Sequence, residues 1–256
     1  TTNANSVLGA TYTLNNGSSY AQILGNQIVA FGGDLIAETG VSIEALAAYA
    51  GGSRNLLVDN SSTGNVTQST TPLQLSTAQF TDAANRTLTI GTGNTLQMGA
   101  PGGAGGILRS SAAGSVTVGE AGTAGELTTG SAAGDDLAFT NGNAAGTLTV
   151  NSIIKNNAGG AVDVIVNGAA TALTVFTGGS TYTGGTTVQQ GTLRVSNNSA
   201  LGSTTGGSTV AIGAALEMAG GITIGNEALS LQGGGISNGG ALRNVSGTNT
   251  YGGLIT

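Results

Sequence analysis

The residues of this chain that could carry out acid–base chemistry are its carboxylates, because histidine and cysteine are absent from all 256 positions. Without histidine there is no imidazole base, no serine–histidine triad and no histidine-ligated metal. Without cysteine there are no disulfides and no thiolate metal sites. What remains is carboxylate chemistry, which in glycoside hydrolases requires two acidic side chains that face one cleft.

The carboxylates that lie closest together in the sequence are Asp135 with Asp136, and Glu120 with Glu126. Asp135 and Asp136 follow a glycine, which predicts a turn, and neighbours on a strand would face opposite sides. Glu120 also follows a glycine and is predicted at a corner. We interpret these groups as solvated turn acids and predict a protein that is not an enzyme and has no metal site. Calcium binding at Asp135 and Asp136 is the weaker alternative, because the G-G-x-G-x-D repeat of calcium coils is missing.

Charge and glycine patterns exclude two further kinds of site. The chain has Lys155, five arginines and twelve carboxylates, so its net charge is −6. It therefore lacks the basic surface that binds nucleic acid. The glycine clusters at 102–106 and 233–235 lack the lysine and hydroxyl residue of a phosphate loop, and we interpret them as corner turns. No cofactor is predicted.

Short apolar-x-apolar triplets, separated by Gly, Asn, Ser and Thr, fill residues 61–256. They begin at positions 88, 96, 116, 148, 173, 193, 216 and 229. Strands of three to five residues between glycine-rich turns favour a β-solenoid, with small aliphatic side chains stacked inside and three strands in each coil of roughly 22–30 residues. The expected fold is all-β, a parallel β-helix or β-solenoid of seven to nine coils, with a β-sandwich as the alternative.

Residues 1–60 differ from residues 61–256 in sequence pattern, and they are predicted to form a separate N-terminal segment for capping or assembly. Leu8, Ala10, Tyr12 and Leu14 alternate with small or polar residues, which indicates a half-buried strand. Residues 28–31 form a denser apolar run. Ser42 could cap a short helix over residues 43–49.

One longer motif occurs twice. Residues 181–195 read TYTGGTTVQQGTLRV, and residues 250–255 read TYGGLI, which opens the same pattern 69 residues later. The motif resembles the autotransporter-associated β-strand repeat. The match is clear over 178–256 and absent from 1–60; residues 61–177 share only the general pattern of the repeat. The resemblance implies a right-handed parallel β-helix that is exported to the bacterial surface or beyond, in a family of adhesins, matrix components and carriers of other activities.

The ends of such a solenoid expose unpaired strand edges, which other solenoids protect with polar caps. Here the first charged residue is Asp34 and the last is Arg243, so neither end is protected by charge. We therefore expect the ends to join head to tail; the alternative is that residues beyond 256 supply the cap. The predicted assembly residues are Leu8, Ala10, Tyr12, Leu14, Tyr251, Leu254 and Ile255.

The predicted function is a secreted or surface-exposed structural protein, a subunit of a bacterial filament or layer whose partner is a second copy of itself. The alternative is an adhesin passenger fragment that binds surface glycans. No apolar run approaches the roughly 20 residues of a membrane-spanning helix. The expected location is extracellular, with residue 1 following a cleaved signal peptide.

Overall fold

The computed structural model describes residues 55–60, 65–68, 73–99, 104–122, 125–130 and 135–256, and the backbone of four short strands before residue 55. These residues form an all-β, parallel β-solenoid of about seven turns, which confirms the predicted fold class. The described residues hold one short 3₁₀ helix, Ile236–Asn238, and no α-helix. None of their helices has the length and apolar character needed to cross a bilayer.

Three strands near the start of the chain form a small antiparallel sheet. They are β1 (Thr13–Leu14), β2 (Ser19–Leu24) and β3 (Gln27–Ala30). Leu14 lies in β1 opposite Ser19 of β2. Leu8, Ala10, Tyr12 and the helix predicted over 43–49 lie outside the described residues.

The longest sheet of the solenoid, sheet A, has nine parallel strands. They are β4 (Leu35–Ile36), β5 (Asn55–Val58), β8 (Thr77–Phe80), β11 (Gly105–Arg109), β14 (Asp135–Asn141), β17 (Val162–Gly168), β19 (Thr186–Val188), β21 (Ser208–Val210) and β24 (Leu229–Leu231). Since β4 and β5 belong to it, the parallel stack begins before residue 61.

Two further parallel sheets complete the stack. Sheet B contains β6 (Val66–Gln68), β9 (Arg86–Ile90), β12 (Val116–Val118), β15 (Thr147–Val150), β18 (Leu173–Phe176), β20 (Thr192–Val195), β22 (Ala215–Ala219) and β25 (Leu242–Ser246). Sheet C contains β7 (Leu73–Leu75), β10 (Thr95–Met98), β13 (Glu126–Thr129) and β16 (Ile153–Ile154). A parallel pair, β23 (Thr223–Ile224) with β26 (Thr250–Tyr251), lies near the end of the chain.

One turn of the solenoid, here called a rung, takes 21 residues between Val210 and Leu231 and 32 residues between Ile107 and Phe139. Aligned side chains from successive rungs stack along the interior. In sheet A this column is Leu56, Ala78, Ile107, Phe139, Val166, Val188, Val210 and Leu231. Most of its members are fully buried, so the core is a thin stack of aliphatic layers with a few aromatic rings.

One triplet faces the opposite way from the prediction. Thr174 is buried, while Leu173 and Val175 on either side of it are half-buried. The reason is Phe176, which shares a face with Thr174 and packs edge to face on Phe139 with 5.1 Å between ring centroids. Burial of the larger ring outweighs burial of the two aliphatic side chains.

Candidate assembly edge

Asp135 and Asp136 do not form the predicted turn: they begin the seven-residue strand β14, which pairs along its whole length with β17. Asp135 is buried and Asp136 lies beside Asp163 of the next rung. Burial, and then the charges of Asp163 and Asp135, raise the pKa of Asp136. Within the described residues no three potential metal ligands come together.

The other two carboxylates lie on the solenoid surface and have separate partners. Glu120 is exposed and accepts a hydrogen bond of 3.3 Å from Thr89. Glu126 forms an ion pair with Lys155 and accepts a 2.7 Å hydrogen bond from Thr95. Partial burial acts to raise the pKa of Glu126, but Lys155 and Thr95 outweigh it and the net shift is downward. Glu120 and Glu126 therefore face different partners rather than one another.

Each cationic side chain in the described part of the chain is held by groups of the protein. Arg86 pairs with Asp82, while Arg194 and Arg243 share Glu217 at 2.7 and 3.5 Å. Arg109 is buried among carbonyl groups. These contacts leave no cluster of cations directed at an outside partner in that part of the chain.

The repeated motif plays a structural role in its first copy. Tyr182 is fully buried, and its hydroxyl lies 2.6 Å from the hydroxyl of Thr186, four residues later. The next rung approaches this segment through glycines. A Cβ atom on Gly206 would lie only 1.8 Å from the carbonyl oxygen of Gly184, and one on Gly202 would lie 2.5 Å from that of Tyr182. Gly202 and Gly206 therefore allow the next rung to stack in close contact with this motif.

The second copy lies in the last rung, which comprises β25, β26 and residues 254–256. Tyr251 and Ile255 occupy the positions of Tyr182 and Thr186. Residues 254–256 pair with β24, because Leu229 N–H donates to the Leu254 carbonyl and Thr256 N–H donates to the Leu229 carbonyl. On its outer side this rung pairs with no strand of the described residues.

Three of the predicted assembly residues thus lie together at this edge. Leu254 is 70% exposed and Ile255 is 44% exposed, whereas Tyr251 is half-buried and packs on the core. Val245 of β25 adds a third exposed apolar side chain at 45%. Leu14 lies in the antiparallel sheet, so it belongs to a different element.

Two groups of the last rungs were missed by the sequence reasoning. Val245 falls in the polar segment 243–250 and carries no alternation signal. Glu227 lies between Asn226 and Ala228, in a turn-like sequence, yet its side chain is 2% exposed. Only the register of the stacked rungs places Glu227 inside, and local sequence contains no signal of that register.

Comparisons of the chain with protein families, with curated proteins and with solved structures find no match.

Proposed function

We propose that this protein is an extracellular structural subunit of a bacterial surface filament or layer, and that its copies join through the edge of the last rung. The observation that carries the proposal is the group of exposed apolar side chains Val245, Leu254 and Ile255 along that edge. Exposed strand edges with apolar side chains favour pairing with a further strand.

A second copy of the chain is the partner that best fits this edge. The first copy of the motif, around Tyr182, is covered by a rung of this same chain through Gly202 and Gly206. A rung of similar backbone shape therefore fits over the second copy, around Tyr251. Head-to-tail contacts of this kind do not close on themselves, so they produce filaments.

The extracellular location rests on composition and on the motif. Charged residues make up 7% of the chain, and Thr, Ser, Asn and Gly must supply its polar surface. A chain without cysteine is common among bacterial surface proteins, and the quoted repeat resembles those of exported passengers. The absence of imidazole and thiolate side chains supports a role other than catalysis.

The test is electron microscopy and sedimentation of the full chain at pH 5.5 and pH 7.5. We expect long regular fibres or sheets under at least one of these conditions. The double substitution Leu254→Asp and Ile255→Asp should abolish them, because a charge buried between stacked rungs would be unpaired. Assembly of a variant that lacks residues 1–24 tests whether the N-terminal segment supplies the opposing strand.

The matched control is Ile212→Asp, since Ile212 is 80% exposed but lies in the turn between β21 and β22, away from the edge. This variant should assemble like the unmodified chain. Isolated short rods at both pH values would contradict the proposal.

A second candidate function, an adhesin fragment that binds surface glycans, is favoured by a polar cleft of about 440 Å³ on sheet C. Gln97, Thr128 and Lys155 line it. Sugar hydroxyls are suitable partners for the half-buried polar side chains of Gln97 and Lys155. Isolated rods that bind glycans on an array would favour this function over assembly.

A further inference from the structure

Glu227 is a buried carboxyl group directly beneath the last rung. Its side chain is 2% exposed and accepts one side-chain hydrogen bond, of 2.6 Å, from the hydroxyl of Ser208. The last rung lies against its backbone, because a Cβ atom on Gly253 would be 1.6 Å from the carbonyl oxygen of Glu227. An ionised carboxylate that is buried without a counterion is costly.

Tyr251, in the last rung, has a buried hydroxyl that makes no hydrogen bond of normal geometry. In the first copy of the motif, Thr186 satisfies the hydroxyl of Tyr182; in the second copy Ile255 takes that position and has no polar atom. Burial, and then the charge of Glu227, raise the pKa of Tyr251. The Ser208 hydroxyl acts in the opposite direction, so the carboxyl, the phenol and this hydroxyl share one enclosed space in which the phenol makes no geometric hydrogen bond.

The other groups that face Glu227 are neutral. Tyr182, from the segment before β19, is fully buried, and burial is the main reason why its pKa is raised, with a smaller effect from Glu227. Ser208 of β21 donates the hydrogen bond already described. None of the ion pairs formed by the described residues includes Glu227.

We infer that the last rung closes over Glu227 only while this carboxyl group is protonated, and that loss of this proton to solvent opens the rung and prevents assembly. The second part rests on the proposed function. The described ion pairs place no counterion beside Glu227, so the neutral acid, which still accepts from the Ser208 hydroxyl, avoids the cost of a buried charge. At low pH the last rung is therefore closed, and its outer edge is in place for the next copy to stack on.

The direction of the pH dependence follows from the pKa of Glu227. Burial raises it to about 7, against 4.5 for an ordinary glutamate, although the Ser208 hydrogen bond acts in the opposite direction. The closed rung binds the proton more tightly than the open one. Its stabilisation is therefore complete below pH 4.5 and is lost as the pH rises to about 7.

The test is hydrogen exchange of the last-rung amides at pH 5.5 and pH 8.5, corrected for the intrinsic exchange rate. The reporters are the amides of Thr250 and Gly252 in the last rung, which donate to the carbonyls of Ile222 and Ile224. The amide of Leu231 in β24, which donates to the last-rung carbonyl of Thr256, is the third. Their protection should fall on the order of tenfold to thirtyfold between the two pH values. Glu227→Gln, whose amide is uncharged at any pH, should remove that dependence.

Two further variants separate a specific effect from a general one. Glu120→Gln changes an exposed carboxyl elsewhere and should behave like the unmodified chain. Tyr251→Phe removes the neighbouring hydroxyl but leaves the carboxyl group, so protection should still fall between pH 5.5 and pH 8.5.

Sedimentation of the same samples separates this inference from the proposed function. Protection that does not change with pH in the unmodified chain, or that changes equally in Glu227→Gln, would overturn the inference and leave assembly standing. A pH-dependent last rung without polymers at either pH would support the Glu227 switch and contradict the assembly role.

Discussion

At the scale of single residues, Arg109 shows how the interior accepts a charge. It stacks between Phe80 and Asn141 in the register of sheet A and is 1% exposed. Its guanidinium donates to Asn141 Oδ1 and to the carbonyl of Asn143, both at 2.7 Å, and to the carbonyl of Ala113 at 2.8 Å. Burial lowers the pKa of Arg109, and these acceptors replace the missing water.

We predict that Arg109→Met lowers the free energy of unfolding by about 2–4 kcal/mol, because it leaves several buried carbonyl groups without donors. Arg194→Met, at an ion pair that is partly exposed to solvent, should cost at most about 1 kcal/mol. Urea denaturation of the full chain measures both. An Arg109→Met midpoint equal to or above that of Arg194→Met would refute the structural role of the buried guanidinium.

At the scale of elements, the corner glycines set how closely rungs approach. Gly206 and Gly185 lie in neighbouring corners, and neither has a positive φ angle. An added Cβ would lie 1.8 Å from the Gly184 carbonyl oxygen at the first position, but 3.5 Å from its nearest neighbour at the second. The first glycine is needed for close contact between rungs and the second is not.

These distances predict opposite effects of the same substitution. Gly206→Ala should destabilise the fold by about 1–3 kcal/mol, since backbone must shift to admit the methyl group. Gly185→Ala should be neutral or stabilise by up to about 1 kcal/mol, because it restricts the unfolded chain. Thermal unfolding of the two variants provides the comparison, and equal melting temperatures would contradict this account.

The elements also show which parts of the structure the sequence could predict. The triplets at 88, 116 and 148 lie on strands, because alternation and glycine-rich turns are local signals. The same local signals did not predict the placement of Asp135, Thr174 and Glu227. The surroundings of each come from a rung some 20 to 30 residues away, and register across that separation has no local signature.

At the scale of the whole molecule, each rung packs mainly on its neighbours, so stability is approximately a sum over adjacent pairs. Phe139 and Phe176 lie in the middle of the stack. Phe139→Ala should cost about 3–5 kcal/mol through the cavity it leaves. Hydrogen exchange should quicken most in β11, β14 and β17 and least in β25; uniform acceleration along the chain would instead indicate one cooperative unit.

The unequal rung lengths also have a mechanical consequence. The ladder hydrogen bonds run along the rod axis, so a pull on its two ends loads them in tension and detaches rungs from an end one after another. Fully extended, a detached rung of 21 to 32 residues releases roughly 70 to 115 Å of chain. A fibre of such rods would lengthen under load in steps, dissipate work at each step, and regain its length when the rungs refold.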